Sequence, residues 1–277
     1  MSFHLTERGR TMNNDIVLSV KGLHIAYPGE ETKIQDITFS VRRGAVFGLA
    51  GESGSGKSSI CKAILGLLEN RTSIFSGSIR FCGRELTDLS GDQHRAINGK
   101  DIGYIMQNPM AAFDPCLKIS AHFSETIRAH LPCSKRDALC LGLEMLERVG
   151  LSHADRMMNS YPGSLSGGML QRIMTAIAIS MNPILIIADE PTTALDTQSR
   201  ETVLDLLSFV MREYCPAMLL VSHDMNLMEK MAEDIAIMYQ GRIVESGSVK
   251  RVLENPQHEY TCQLIEASRF TWEEGRC

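Results

Sequence analysis

Lysine and arginine never gather into a block in this sequence: 28 are spread through 277 residues against 33 acidic ones, for a net charge of -5. A basic stripe is the footprint of nucleic-acid and anionic-headgroup binding, so neither is expected as the main partner. Paired cysteines are also missing. Cys61, Cys82, Cys116, Cys133, Cys140, Cys215, Cys262 and Cys277 include no CxxC pair. Several fall in apolar segments where a reduced thiol packs as a small hydrophobe, which argues against a zinc or iron-sulfur site and for a reducing compartment. No apolar run approaches the ~20 residues that span a bilayer; ILIIA at 184–188 is among the longest. The opening MSFHLTERGRTMNND has no apolar core of a signal peptide, and Met12 is a second candidate start. Internal repeats and low-complexity tracts are absent from the sequence as well.

What is present is a change of periodicity along the chain. Ile16 to Tyr27 and Ile34 to Val41 roughly alternate apolar with polar, the pattern of antiparallel strands. AVFGLAG, Ala45 to Gly51, is a short all-apolar run ending in glycine, as a buried strand does, and a helix is expected from Lys57 to about Leu68. SGSIRFCGREL reads as strand and turn, and DIGYIMQ as another buried strand. From Asn108 to Pro162 the pattern is helical, an insertion. Three alternations follow: helices at Gly167–Ser180, Thr197–Arg212 and Asn226–Met231, each leading to a strand at Ile184–Asp189, Ala217–Ser222 and Asp234–Tyr239. Such alternation implies a mostly parallel sheet with helices on its faces.

The strongest chemical signal is GESGSGKS, Gly51 to Ser58, which fits GxxxxGKS between a strand and a helix. Its glycines let backbone N–H groups turn toward phosphate oxygens, the helix N-terminus adds a favourable dipole, Lys57 reaches the β- and γ-phosphates and Ser58 ligates Mg²⁺. ILIIADE ends an apolar strand in two carboxylates. Alone, that end is as well explained by solvation; beside a phosphate loop, Asp189 suits Mg²⁺ and Glu190 suits polarising an attacking water. LLVSH places His223 at another strand end, on the edge where parallel sheets take their ligands. LSGGM, Leu165 to Met169, opens a further helix fit for an anion yet has no lysine beside it.

Taken in order, Tyr27, GESGSGKS, Gln107, LSGGM, ILIIADEP, ALD and His223 resemble the nucleotide-binding subunit of ATP-binding cassette (ABC) transporters, from Ile16 to about Ala267. The resemblance implies an α/β fold: a P-loop NTPase (ABC ATPase) core with a mostly parallel sheet, an antiparallel β subdomain and a helical subdomain at about 108–165. An N-terminal extension, 1–15, and a tail, 268–277, flank it. It further implies ATP and Mg²⁺ as cofactors, with Tyr27 stacked on adenine and Gly51, Glu52, Ser53, Gly54, Ser55, Gly56, Lys57, Ser58 and Ser59 around the phosphates. Gln107 would contact Mg²⁺ and the attacking water, and His223 the γ-phosphate. In this family two cassettes pair head to tail. Ser166, Gly167 and Gly168 would then meet the γ-phosphate held by the partner, and Asp196 would bridge the two sites. Met169 stands where glutamine is commonest; serine and backbone N–H groups carry the contact, so activity is expected to survive.

SGGM followed by Leu170, Gln171 and Arg172, with QNPMAAFDP and NPQHEYT, resembles the peptide/nickel importer branch. Leu170 and IMQNP resemble its nickel-importing member, and the lack of a cysteine-rich C-terminal extension agrees. The implied role is ATP hydrolysis powering import of nickel or a nickel chelate, with di- or oligopeptide import as the alternative. A soluble ABC ATPase outside transport is a third reading; it calls for a long coiled coil or two fused cassettes. Implied partners are a second ATPase subunit (homodimer or heterodimer), two membrane permeases and, indirectly, a substrate-binding protein; the implied location is the cytoplasmic face of the inner membrane. The methionines at 225, 228 and 231 are read as core packing rather than metal ligands.

Overall fold

The computed structural model describes residues 15–26, 34–68, 74–192 and 197–274. Strands β1 (Ile16–Ala26) and β2 (Ile34–Arg42) pair antiparallel. Strand β3 (Val46–Ala50) is buried throughout and leads by the glycine-rich loop into helix α1 (Lys57–Ile64). Strands β4 (Ile74–Phe81) and β5 (Arg84–Glu85) return to the first sheet, whose order is β2-β1-β4-β5. Helix α2 (Gly91–Ile97) precedes β6 (Ile102–Ile105).

Between β6 and the LSGGM helix the chain forms α3 (Ile119–His130), α4 (Lys135–Arg148), α5 (Ala154–Asn159) and two short 3-10 turns, then α6 (Gly167–Ile179). The rest alternates: β7 (Leu185–Asp189), α7 (Thr197–Tyr214), β8 (Ala217–Ser222), α8 (Met225–Met231) and β9 (Asp234–Tyr239). It closes with β10 (Arg242–Ser248), α9 (Val249–Glu254) and α10 (Glu259–Glu274).

The second sheet runs β10-β9-β3-β8-β7-β6, parallel except at the β9–β10 edge. It is the partition of the molecule. Because side chains alternate across a strand, Leu185, Ile187, Leu219, Val221 and Leu49 face one core with α1 and the antiparallel sheet. Ile186, Ala188, Met218 and Leu220 face the other, with α6, α7 and the inserted helices, where Phe123, Met145 and Met158 are buried. Both faces are apolar, which is why β3, β7 and β8 carry no polar alternation.

Two expectations need correction. Helix α1 stops at Ile64, not near Leu68. Gly66 takes φ +66°, and Gly66 and Leu67 return their N–H groups to Ala63 and Lys62, a left-handed glycine stop that exposes Leu67. Most thiols are not core residues: among the described cysteines only Cys61 is buried, while Cys82, Cys116, Cys140 and Cys215 are exposed. Helix α10 continues through position 267 to Glu274. Met225 and Met228 are buried and Met231 packs against the same core. No helix of the described residues is long and apolar enough to cross a membrane.

Candidate functional site

Three adjacent parallel strands, β3, β8 and β7, end at the same edge, and each delivers chemistry there. After β3, Gly51 lies so close to the Met238 carbonyl that any Cβ would collide with it, and Gly54 and Gly56 adopt φ of +84° and +107°. Only glycine follows this path without strain. Gly56 is the N-cap of α1 and no side chain caps that helix. No side chain competes for the opening of the helix, so its N-terminus suits an anion.

Lys57 is only 4% exposed. Its Nζ donates to the Gly51 and Glu52 carbonyls at 2.7 and 2.8 Å and lies 3.5 Å from Glu190 Oε1. Burial lowers its pKa, and the Glu190 and Asp189 carboxylates oppose that drop. The ammonium thus sits in a low-dielectric recess where it is most attractive to a phosphate.

Ser58 Oγ donates to Asp189 Oδ1 and Tyr104 Oη to Asp189 Oδ2, both at 3.2 Å. Burial raises the Asp189 pKa, and these two hydrogen bonds work against it. Glu190 has φ +49°, a left-handed backbone rare for a non-glycine residue, while its N–H donates to the Val221 carbonyl at 2.8 Å. The turn directs one carboxylate between two partners: Oε1 near Lys57 and Oε2 2.8 Å from His223 Nδ1. That hydrogen bond raises the His223 pKa above 6.5, partial burial acting against it.

The structure therefore brings Lys57, Ser58, Asp189, Glu190 and His223 into one group. Gln107 lies two residues beyond β6, exposed, with no hydrogen bond to that group among the described residues. Ser166 caps α6, its Oγ accepting from the Met169 N–H at 3.3 Å, and with Gly167 it is exposed. A Cβ added at Gly167 or Gly168 would meet nothing within 4 Å. These three make no bond with the Lys57 group. Tyr27 and Asp196 lie outside the described residues.

Tyr104 was not among the residues expected here. Its signal was available: a phenol in the otherwise apolar IGYI strand needs a partner for its hydroxyl. Asp189 supplies it.

A model of the family described as ABC transporter matches residues 34–193. The chain belongs to the ABC transporter family. As an ABC ATPase it is 37% identical over 260 residues to the oligopeptide transport ATP-binding protein OppD of Lactococcus lactis subsp. cremoris (strain SK11), covering 93% of this chain and 77% of that protein. It is 37% identical over 254 residues to the metal-staphylopine import system ATP-binding protein CntD of Staphylococcus aureus (strain Mu50 / ATCC 700699), covering 91% and 93%. The dimeric, post-hydrolysis ATP-binding cassette MJ0796, bound to ADP and Pi, superposes with a TM-score of 0.73 at 26% identity, covering 84% of this chain and 98% of that one. The fold is that of an ABC ATPase, and this ABC transporter subunit binds and hydrolyses ATP.

Proposed function

We propose that hydrolysis takes place at the Lys57–Asp189–Glu190–His223 group and powers import of a small cargo, a nickel chelate, through membrane permeases. The observation that carries the site is the convergence of an ammonium, two carboxylates and an imidazole on neighbouring strand ends around an uncapped helix N-terminus. A bound triphosphate replaces the Gly51 and Glu52 carbonyls as acceptors for Lys57. Released from Lys57, Glu190 keeps its hydrogen bond to His223 and presents its other oxygen to water as general base. The raised His223 pKa favours a donor that holds Glu190 and faces the departing phosphate.

The Ser58 hydroxyl and the Asp189 carboxylate, 3.2 Å apart, are hard oxygen donors of the kind Mg²⁺ takes. They would hold Mg²⁺, which would supply positive charge against the phosphates. Gln107, exposed just beyond β6, would serve the same ion and the attacking water, and Tyr27 and Asp196 would take the adenine and the dimer bridge.

The second half of each site comes from another cassette, whose Ser166, Gly167 and Gly168 cover the γ-phosphate. Support comes from the exposed, unobstructed LSGGM terminus and from the dimeric state of the superposed cassette. For the cargo, support comes from Met169 to Arg172 and IMQNP, and from the metal-staphylopine importer among the relatives. The oligopeptide relative favours peptide as the second reading.

Glu190→Gln tests the chemistry: it is expected to bind ATP but hydrolyse it ~10²–10⁴-fold more slowly. Hydrolysis at the wild-type rate would place the base elsewhere. Uptake of radioactive nickel, free and chelated, by cells lacking the chain tests the cargo. Loss of chelate uptake that excess dipeptide does not mimic in wild-type cells supports nickel; loss of peptide uptake alone supports the second reading.

A further inference from the structure

The segment NPQHEYT, 255–261, has no part in the hydrolytic group, yet the structure ties it to the phosphate loop. The Tyr260 hydroxyl accepts from the Glu52 N–H at 2.8 Å, across 208 positions of sequence. Gly51 C=O and Glu52 N–H belong to one peptide unit. Its oxygen accepts from Lys57 at 2.7 Å while its N–H donates to Tyr260. Two side chains therefore hold opposite ends of a single peptide plane at the entry of the loop. With Glu52 N–H engaged, the plane cannot rotate without losing both bonds.

Tyr260 is itself mounted at two points. Its ring stacks on Tyr239, centroids 4.2 Å apart and planes 25° from parallel. Tyr239 ends β9, next to Met238, whose carbonyl backs Gly51. The second mount is at the helix start: buried Glu245 of β10 accepts from the Gln257 N–H at 3.0 and 3.1 Å and from the His258 N–H at 3.1 Å. A carboxylate at that place satisfies N–H groups that precede the first turn of α10 and suits its dipole. Tyr260 also donates its own N–H to His258 Nδ1 at 3.2 Å.

We propose that Tyr260 is a positioning residue for the phosphate loop: it fixes the Gly51–Glu52 peptide so that later N–H groups, and Lys57, are set for the nucleotide before it arrives. This rests on the reading that the loop holds the nucleotide. It assigns a role to the C-terminal helix in the hydrolytic site that no residue of that site performs.

Tyr260→Phe keeps a ring to stack on Tyr239 and removes the acceptor. One hydrogen bond of ordinary net strength corresponds to roughly a three- to tenfold change. In the full-length chain, ATP and ADP affinities are expected to fall by that factor and the KM for ATP to rise with them, with kcat changed less than about twofold. Hydrogen exchange should quicken in peptides covering 51–56 and stay unchanged over 262–268. Lys57→Ala is measured alongside. If Lys57→Ala loses ATP while Tyr260→Phe matches wild type, the loop reading stands and the positioning role fails. If exchange over α10 rises as well, the tyrosine serves helix docking and the proposal is equally overturned. If Lys57→Ala binds ATP normally, the reading of the loop fails and this proposal with it.

Discussion

At the scale of single residues, the site is a contest for acceptors. Lys57 is buried, held by carbonyls of its own loop and faced by Glu190, so an arriving phosphate has to take over from those acceptors. Lys57→Ala should abolish ATP binding and hydrolysis together, checked by titration and by phosphate release. Tyr104 acts one step back. It holds one oxygen of Asp189 while Ser58 holds the other, and both bonds keep a buried carboxyl from rising further. Tyr104→Phe should therefore raise the Mg²⁺ concentration needed for half-maximal hydrolysis by about two- to tenfold, with ATP binding in EDTA unchanged. An unaltered Mg²⁺ curve would relieve Tyr104 of any role. Lys57, Asp189 and Glu190 could be read from the sequence because their spacing and flanking strand runs are short-range patterns. Tyr104 is the weaker signal: a phenol in an apolar strand calls for a partner without saying which, and an aromatic residue there also reads as core. The left-handed turn at Glu190, which aims its carboxylate at both Lys57 and His223, also has no sequence signature.

At the scale of elements, the readable pieces were those whose identity is decided locally. The runs that became β3, β7 and β8 are apolar on both faces, and β8 and β9 begin and end where the pattern places them. Helix α1 ends before its apolar pattern does, because Leu65, Leu67 and Leu68 continue that pattern beyond the stop at Gly66. The α2 helix, set by the Ser90 and Gln93 capping box, is too short for periodicity to reveal. The start of α10 depends on Glu245 of β10, a contact that local sequence patterns do not show.

That mount has a pH signature. Burial alone would raise the Glu245 pKa, but the His258 N–H, Thr261, the Gln257 N–H and the Arg251 charge together outweigh it and lower the value below the ordinary 4.5. A carboxylate with a depressed folded pKa stabilises above the unfolded value, and that contribution is lost as pH falls through the folded one. Glu245→Gln should melt at a lower temperature than wild type near neutral pH, and the gap should close as pH drops below 4.5. A gap that persists unchanged to low pH would assign the effect to packing rather than charge.

At the scale of the whole molecule, the order of motifs along the chain marks an ABC ATPase, because that order spans several elements at once. Cargo is less legible. On the proposed reading, in which permeases rather than this chain meet the cargo, the choice between chelate and peptide rests on a few residues around Met169. The pairing of cassettes is the central claim, since α6 presents an anion-ready terminus away from the only phosphate loop in the sequence. For a dimer of this chain with itself, it is tested most directly by counting tightly bound ATP on purified mixed dimers that combine a Lys57→Ala copy with a Ser166→Arg copy. A site shared between copies leaves one composite site carrying both lesions and one carrying neither, so one ATP per mixed dimer is expected although neither parent dimer retains any. No bound ATP on the mixed dimer would mean that Ser166 serves its own subunit, contradicting the shared site.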